Sequence, residues 1–213
     1  ELKTPLQSII GSAELLENGL VKPEDQPRFL NRIHQEADRL VALINDILRL
    51  SQLDEGGALP HEQVSVLELA QEAARSLTAQ AAAQAVHISV TGTAGTVFGV
   101  RRLLYEIARN LCENAVKYNV PGGSVTVEVA ETDRDVTLLV RDTGIGIPEG
   151  DQSRVFERFY RVDKSHSRAI GGTGLGLSIV KHAVAYHHGT LRLESQPGKG
   201  TVITVTLPKE PTE

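Results

Sequence analysis

The sequence predicts an α+β protein: an N-terminal antiparallel helical hairpin that forms a dimeric four-helix bundle, followed by an α/β sandwich. Three observations predict it. Apolar residues recur at alternating spacings of four and three through residues 2–47. Strands and helices mix without regular alternation through 60–208, and a glycine-rich stretch at 171–176 runs straight into an apolar helical sequence.

The first helix carries Leu2, Leu6, Ile9, Ala13, Leu16 and Leu20 on one stripe; the second carries Leu30, Ile33, Ala37, Leu40, Ile44 and Ile47. Two heptad stripes joined by a short turn make an antiparallel hairpin. Gly19 and Lys22-Pro23-Glu24-Asp25 supply the turn, with proline and acids suited to opening a helix. A lone hairpin leaves half of each stripe wet, so a homodimer through residues 1–55 is expected. Residues 56–60, opening on Gly56-Gly57, read as a hinge linker, and residues 61–213 as the second domain.

In that domain Val64 lies near a short strand, Leu67–Ala85 reads as an Ala-rich helix and Val86–Val90 as a strand. Arg101–Tyr118 is a strongly periodic helix. Val125–Val129 and Val136–Val140 are strands around a turn containing Asp133. Residues 147–171 are long and irregular, Gly174–His187 is helical, and Leu191–Glu194 with Val202–Leu207 close as a hairpin around Pro197-Gly198. The missing βαβ rhythm places the helices on one face of a sheet.

Composition narrows the function. A net charge of −5 argues against a nucleic-acid surface, where a clustered basic face is expected. No apolar run approaches the length that crosses a bilayer, and no signal peptide opens the chain. The absence of Met, with Glu1 at the start, marks the sequence as an expected piece of a longer product. Cys112 is alone, so there is no disulfide frame, and a small buried apolar role suits it.

The candidate chemistry sits in three places. Gly171-Gly172-Thr173-Gly174-Leu175-Gly176 precedes a helix, so backbone N–H groups and the positive helix end converge as in a phosphate site. A hinge ahead of a buried helix has the same pattern. A dinucleotide fingerprint would need glycine where Leu177 stands, and a P-loop would need Gly-Lys-Ser/Thr, so the stretch belongs to neither class. On the helix Arg101–Tyr118, Asn110, Asn114 and Lys117 project together opposite the apolar stripe. Two amides and an amine can hold a metal-bound triphosphate, amide oxygen to Mg²⁺ and amine to phosphate, although a solvated face reads alike. Tyr118 ends that line, where it can stack on a base. Asp142-Thr143-Gly144-Ile145-Gly146-Ile147-Pro148 follows a strand; a carboxylate there can accept from an exocyclic amine, and an ordinary Asp-Thr-Gly turn is the competing reading. The loop from there to Gly172 is long enough for a functional lid, with Phe156 and Phe159 packing a short helical turn that anchors it.

Asn110–Tyr118 resembles the N box of bacterial two-component sensor histidine kinases. Asp142–Gly146 is similar to their first glycine box, Val155–Tyr160 to their F box, and Gly171–Gly176 to their second glycine box. Glu1-Leu2-Lys3-Thr4-Pro5-Leu6 resembles the H box without its first residue. Five motifs in register over nearly the whole chain identify it as a member of that family, in its phosphate-regulon-sensor-like subgroup.

The resemblance implies a dimerisation and phosphotransfer hairpin and an ATP-binding domain of the gyrase, Hsp90 and histidine-kinase type. It implies ATP and Mg²⁺, with Asn114 on the metal, Asn110 and Lys117 at the phosphates, Tyr118 and Ile147 at the adenine pocket, and Asp142 accepting from the adenine amine. Gly144 and Gly146 border the base, Gly172, Thr173, Gly174, Leu175 and Gly176 anchor the lid, and Thr201 supports Asp142. Glu1 takes the imidazole proton during attack on the γ-phosphate. Thr4 positions a water for dephosphorylating the partner, a response-regulator receiver domain. The parent is expected to be anchored in a bacterial cell membrane with this part in the cytoplasm.

Three departures stand out. The phosphoacceptor histidine belongs immediately before Glu1, so the chain as written is not expected to phosphorylate itself. Val100 follows Gly99 where relatives commonly have Asp, and His187-His188-Gly189 stands where a Gly-Gly pair is usual; the two histidines read as a helix C-terminus. A gyrase- or Hsp90-type ATPase is the first rival, but its water-activating glutamate would fall at Asn110, an amide. A dimeric regulator phosphatase or scaffold with a nucleotide-sensing site is the second.

Overall fold

The heptad stripes fold as two helices side by side. The computed structural model describes residues 2–54, 59–162 and 173–210. Helix α1 spans Lys3–Glu17 and α2 spans Gln26–Asp54. The turn sets Gly19 at φ +64°, a left-handed conformation that glycine enters without steric penalty. Arg32 on α2 donates from Nε to Ser8 Oγ on α1 at 3.2 Å. Within one chain the stripe stays partly wet, with Leu30 51 % and Ile44 47 % exposed.

The remaining elements form a helix-on-sheet layer pair. The main sheet has the order β2-β4-β5-β7-β6, built from β2 His87–Gly92, β4 Ser124–Glu131, β5 Asp135–Asp142, β6 Thr190–Gln196 and β7 Gly200–Pro208. Its β2–β4 pair is parallel and the other three pairs are antiparallel. Val125, Val127 and Val129 on β4 alternate with more exposed residues, as do Val136, Leu138 and Val140 on β5. That period of two buries one face. Against it pack α3 Val66–Ser76, α5 Arg101–Lys117 and a helix Gly176–Tyr186, here α7, whose Leu69, Ile107, Leu111 and Val180 join the sheet valines in one core. A single helical turn, α6 Glu149–Gln152, follows β5.

Two elements differ from the sequence expectation. The Ala-rich helix breaks at Leu77 into α3 and α4 Thr78–Ala83. Ser76 Oγ and Thr78 Oγ1 bond back to Ala73 O (2.7 Å) and Arg75 O (2.9 Å), and such local bonds compete with the helical ladder. A further strand, β3 Thr96–Gly99, pairs antiparallel with β1 Glu62–Ser65. Four residues between glycine-containing turns carry too little periodicity to be seen in sequence. No helix among the described residues is long and apolar enough to cross a membrane.

Candidate functional site

The helical period of α5 sets one wall. Leu111 and Ala115 turn into the core while Asn110, Asn114 and Lys117 line a cavity of ≈ 460 Å³, a size typical of small-molecule sites. Asn110 donates from Nδ2 to Glu106 O at 2.8 Å and to Glu106 Oε2 at 3.3 Å. Its Oδ1 is thereby aimed at Gly176, where an added Cβ would lie 2.8 Å away. Burial lowers the Lys117 pKa, opposed by Glu113 and helped by Arg161 and Arg39. An anionic ligand would reverse that shift by restoring a counter-charge.

The end of β5 sets another wall. Asp142 Oδ1 accepts from Gly144 N–H at 2.8 Å and Thr201 N–H at 3.1 Å, while Oδ2 accepts from no described residue and is left for a ligand donor. Burial raises the Asp142 pKa and the two N–H bonds lower it. Val140, Leu111, Ala115 and Ile203 give the cavity an apolar floor, as a flat heteroaromatic ring requires.

The glycines divide by task. Gly146 lines the cavity at φ +70°, where a side chain would be strained and its Cβ would meet Gln196 O at 2.1 Å. Gly144 does not line the cavity. Its N–H holds Asp142, and a Cβ there would lie 2.3 Å from Tyr118 O. Tyr118 lines the cavity as the C-cap of α5, and its carbonyl accepts from Ile145 N–H at 3.1 Å.

The lid stretch returns to the same cavity. Thr173, Gly174 and Gly176 line it, whereas Leu175 is fully buried against Leu43, Ile179 and Ile47. Phe159 N–H donates to Gly174 O at 2.9 Å, so the anchor between these two segments is a backbone bond. Gly172, like Glu1, lies outside the described residues. Thr4 is exposed on the first turn of α1 and does not line the cavity.

Several positioning groups carry no sequence signal. Ser195 Oγ accepts from Ile147 N–H at 2.8 Å and donates to Gly200 O at 3.0 Å. Gln152 Nε2 donates to Ile147 O and Ser195 O at 3.0 and 2.8 Å. Together they fix Ile147 at the cavity wall. Thr201 supports Asp142 through its backbone N–H, while its hydroxyl bonds Ser195 at 2.9 Å. Ala42 and Asn45 of α2 also line the cavity, so the hairpin reaches the mouth of the site.

Known proteins share both halves of this architecture. A family described as "His Kinase A (phospho-acceptor) domain" matches residues 1–56. A family described as "Histidine kinase-, DNA gyrase B-, and HSP90-like ATPase" matches residues 99–211. The "Sensor-like histidine kinase SenX3" of Mycolicibacterium smegmatis is 40% identical over 215 residues, covering 99% of this chain and 56% of that protein. The chain thus spans about half the length of the curated relatives it matches. A full-length ShkA structure in complex with AMPPNP is similar at TM-score 0.73 and 27% identity, covering 96% of this chain and 43% of that one. A structure of histidine kinase ThkA in complex with the response regulator protein TrrA shares the fold at TM-score 0.75 and 21% identity, covering 99% and 59%.

Proposed function

The chain belongs to the two-component sensor histidine kinases, and from that premise we propose that it transfers the ATP γ-phosphate to a histidine and onward to an aspartate of a response regulator. One observation carries this reading: a single cavity is lined by Asp142, by Asn110, Asn114 and Lys117, and by Gly174 and Gly176. The carboxylate suits the exocyclic amine of adenine, and the amides, amine and glycines suit a triphosphate.

Phosphoryl transfer asks the protein for position and charge neutralisation more than covalent help. Asp142 Oδ2 accepts from the adenine amine, and the floor of Val140 and Ile203 excludes water from the ring. The Asn110 amide, held by Glu106, and the Lys117 ammonium orient the phosphates. The Asn114 amide oxygen is a hard donor suited to Mg²⁺, which when bound neutralises phosphate charge. Gly174 and Gly176 let backbone approach the phosphates without a Cβ in the way.

The acceptor histidine is assigned to the position before Glu1, with the Glu1 carboxylate taking its proton and Thr4 positioning water for regulator dephosphorylation. The exposed stripe through Leu6, Leu30 and Ile44 suits a second copy of the chain. A receiver domain is the partner, and upstream segments of the parent supply a membrane anchor. ShkA with AMPPNP and ThkA with TrrA support the nucleotide and the regulator by likeness. The test is a variant with one histidine added before Glu1, incubated with γ-labelled Mg-ATP. Acid-labile, alkali-stable label that Asn114→Ala abolishes is expected. No label despite ATP binding would overturn the assignment.

A further inference from the structure

We propose that His187 is a positioning residue: through the Val100 amide it holds helix α5 in register against α7, and protonation of its ring releases that hold. The inference rests on the nucleotide reading of the cavity for its consequence, though not for its geometry.

Helix α5 begins at Val100, an extended N-cap with no side-chain cap bond. An N-terminal backbone N–H needs a partner when buried. Val100 N–H finds His187 Nε2 at 3.0 Å, and His187 Nδ1 lies 2.7 Å from Ala183 O. These two partners settle the tautomer. A backbone N–H can only donate, so Nε2 is the lone pair; a carbonyl can only accept, so Nδ1 carries the proton. His187 is 8 % exposed, and its ring comes so close that a Cβ on Gly99 would lie 2.6 Å from its Cδ2. Gly99 therefore has a steric reason to be glycine.

The bond ties the far ends of the helices that build the phosphate end of the cavity. His187 is the C-cap of α7, whose first residue Gly176 faces Asn110. Asn110 lies ten positions beyond Val100, and His187 lies eleven beyond Gly176. At about 1.5 Å per residue the two spans match to within roughly 2 Å. The helices run antiparallel between two shared contacts. Freeing one end lets α5 slide or fray, and the spacing between Asn110 and the glycine turn changes with it.

An imidazolium has no lone pair and cannot accept from Val100. The groups facing the ring are His61, just ahead of β1, at 6.4 Å between centroids, Tyr186 at the end of α7 and His188 just beyond it. Burial, His61 and His188 lower the His187 pKa from 6.5, while the Ala183 carbonyl raises it. The neutral form therefore prevails at neutral pH, and the hold is lost only as pH falls through that lowered value.

The test uses the full chain, ¹⁵N NMR of the ring and calorimetry with Mg-AMPPNP. At about pH 7.5 we expect the Nδ1–H tautomer and a slowly exchanging Val100 amide. His187→Ala should weaken AMPPNP about tenfold, the equivalent of one buried hydrogen bond. His187→Gln keeps an acceptor at the same reach and should bind within about threefold of the parent, without the parent's loss of affinity toward acid. An Nε2–H tautomer, equal binding by parent and His187→Ala, or a pH profile unchanged in His187→Gln would each overturn the proposal. Should His187→Ala fail to fold, the tautomer and the His187→Gln profile still decide. Failure of the parent chain to bind AMPPNP would instead sink the nucleotide reading, and the tautomer and amide exchange would judge His187 alone.

Discussion

Gly176 and Asn110 face each other so closely that a Cβ on the glycine would stand 2.8 Å from the asparagine Oδ1. Glu106 holds the other end of that amide, so Asn110 can swing aside only by giving up those bonds. Gly176→Ala should leave the fold intact, because alanine favours the first turn of a helix. It should weaken Mg-ATP about tenfold, by the loss of one positioned polar contact. Calorimetry beside a thermal melt separates the two; full affinity would mean that Asn110 does not position the phosphates.

Asp142 offers a prediction in which stability and binding move oppositely. In Asp142→Asn, Oδ1 can still accept from Gly144 and Thr201, but an NH₂ replaces Oδ2 and meets the adenine amine donor to donor. Affinity should fall by about tenfold or more, as when a charge-assisted bond is removed. The carboxyl pKa is raised chiefly by burial, so the folded state prefers it protonated. That preference stabilises the fold below the unfolded-state pKa and is lost as pH rises through the folded one. Asp142→Asn should therefore melt slightly higher than the parent at neutral pH, with the gain shrinking toward pH 4. A lower melting temperature at neutral pH would contradict this.

The parts of the site that were legible are those set by a single element's period. Asn110, Asn114 and Lys117 share a face because α5 is a regular helix, and Asp142 stands out because an alternating strand ends on it. The parts that were not legible join distant segments. Ser195 and Gln152 meet around Ile147 across 43 residues of chain, and nothing local to either announces it. Val100 and His187 each look like an isolated departure, yet they bond across 87 residues. Leu175 sits inside a glycine motif and reads as part of it, whereas its side chain belongs to a hydrophobic contact with α2. Strand β3 escaped for want of length.

Cys112 is fully buried in the main core, and burial pushes its thiol up to about 12. The thiolate is the reactive form, so a disulfide reagent at pH 8 should leave the native chain unlabelled and label it at the rate of unfolding. Cys112→Ser buries a hydroxyl in apolar surroundings and should cost about 1–3 kcal/mol in denaturant melts. Rapid labelling of the native chain would show that this part of α5 opens locally.

Leu43 tests the contact between the hairpin and the nucleotide domain. It is 5 % exposed on α2 and packs with Ile47 against Leu175 and Ile179, in a cluster separate from the main core. Truncation to alanine removes about 2–4 kcal/mol of packing where the surroundings cannot collapse. Because the sheet core does not share these contacts, the loss should appear as undocking of α2 from α7 while the sheet stays folded. Hydrogen exchange should accelerate at residues 175–180 and remain unchanged at Val136–Val140. Ala42 and Asn45 line the cavity mouth from the same stretch of α2, so undocking also removes part of that wall and should shift nucleotide affinity. Uniform acceleration across the strands would place Leu43 in the global folding unit; no acceleration anywhere would mean that Ile47 alone holds the contact.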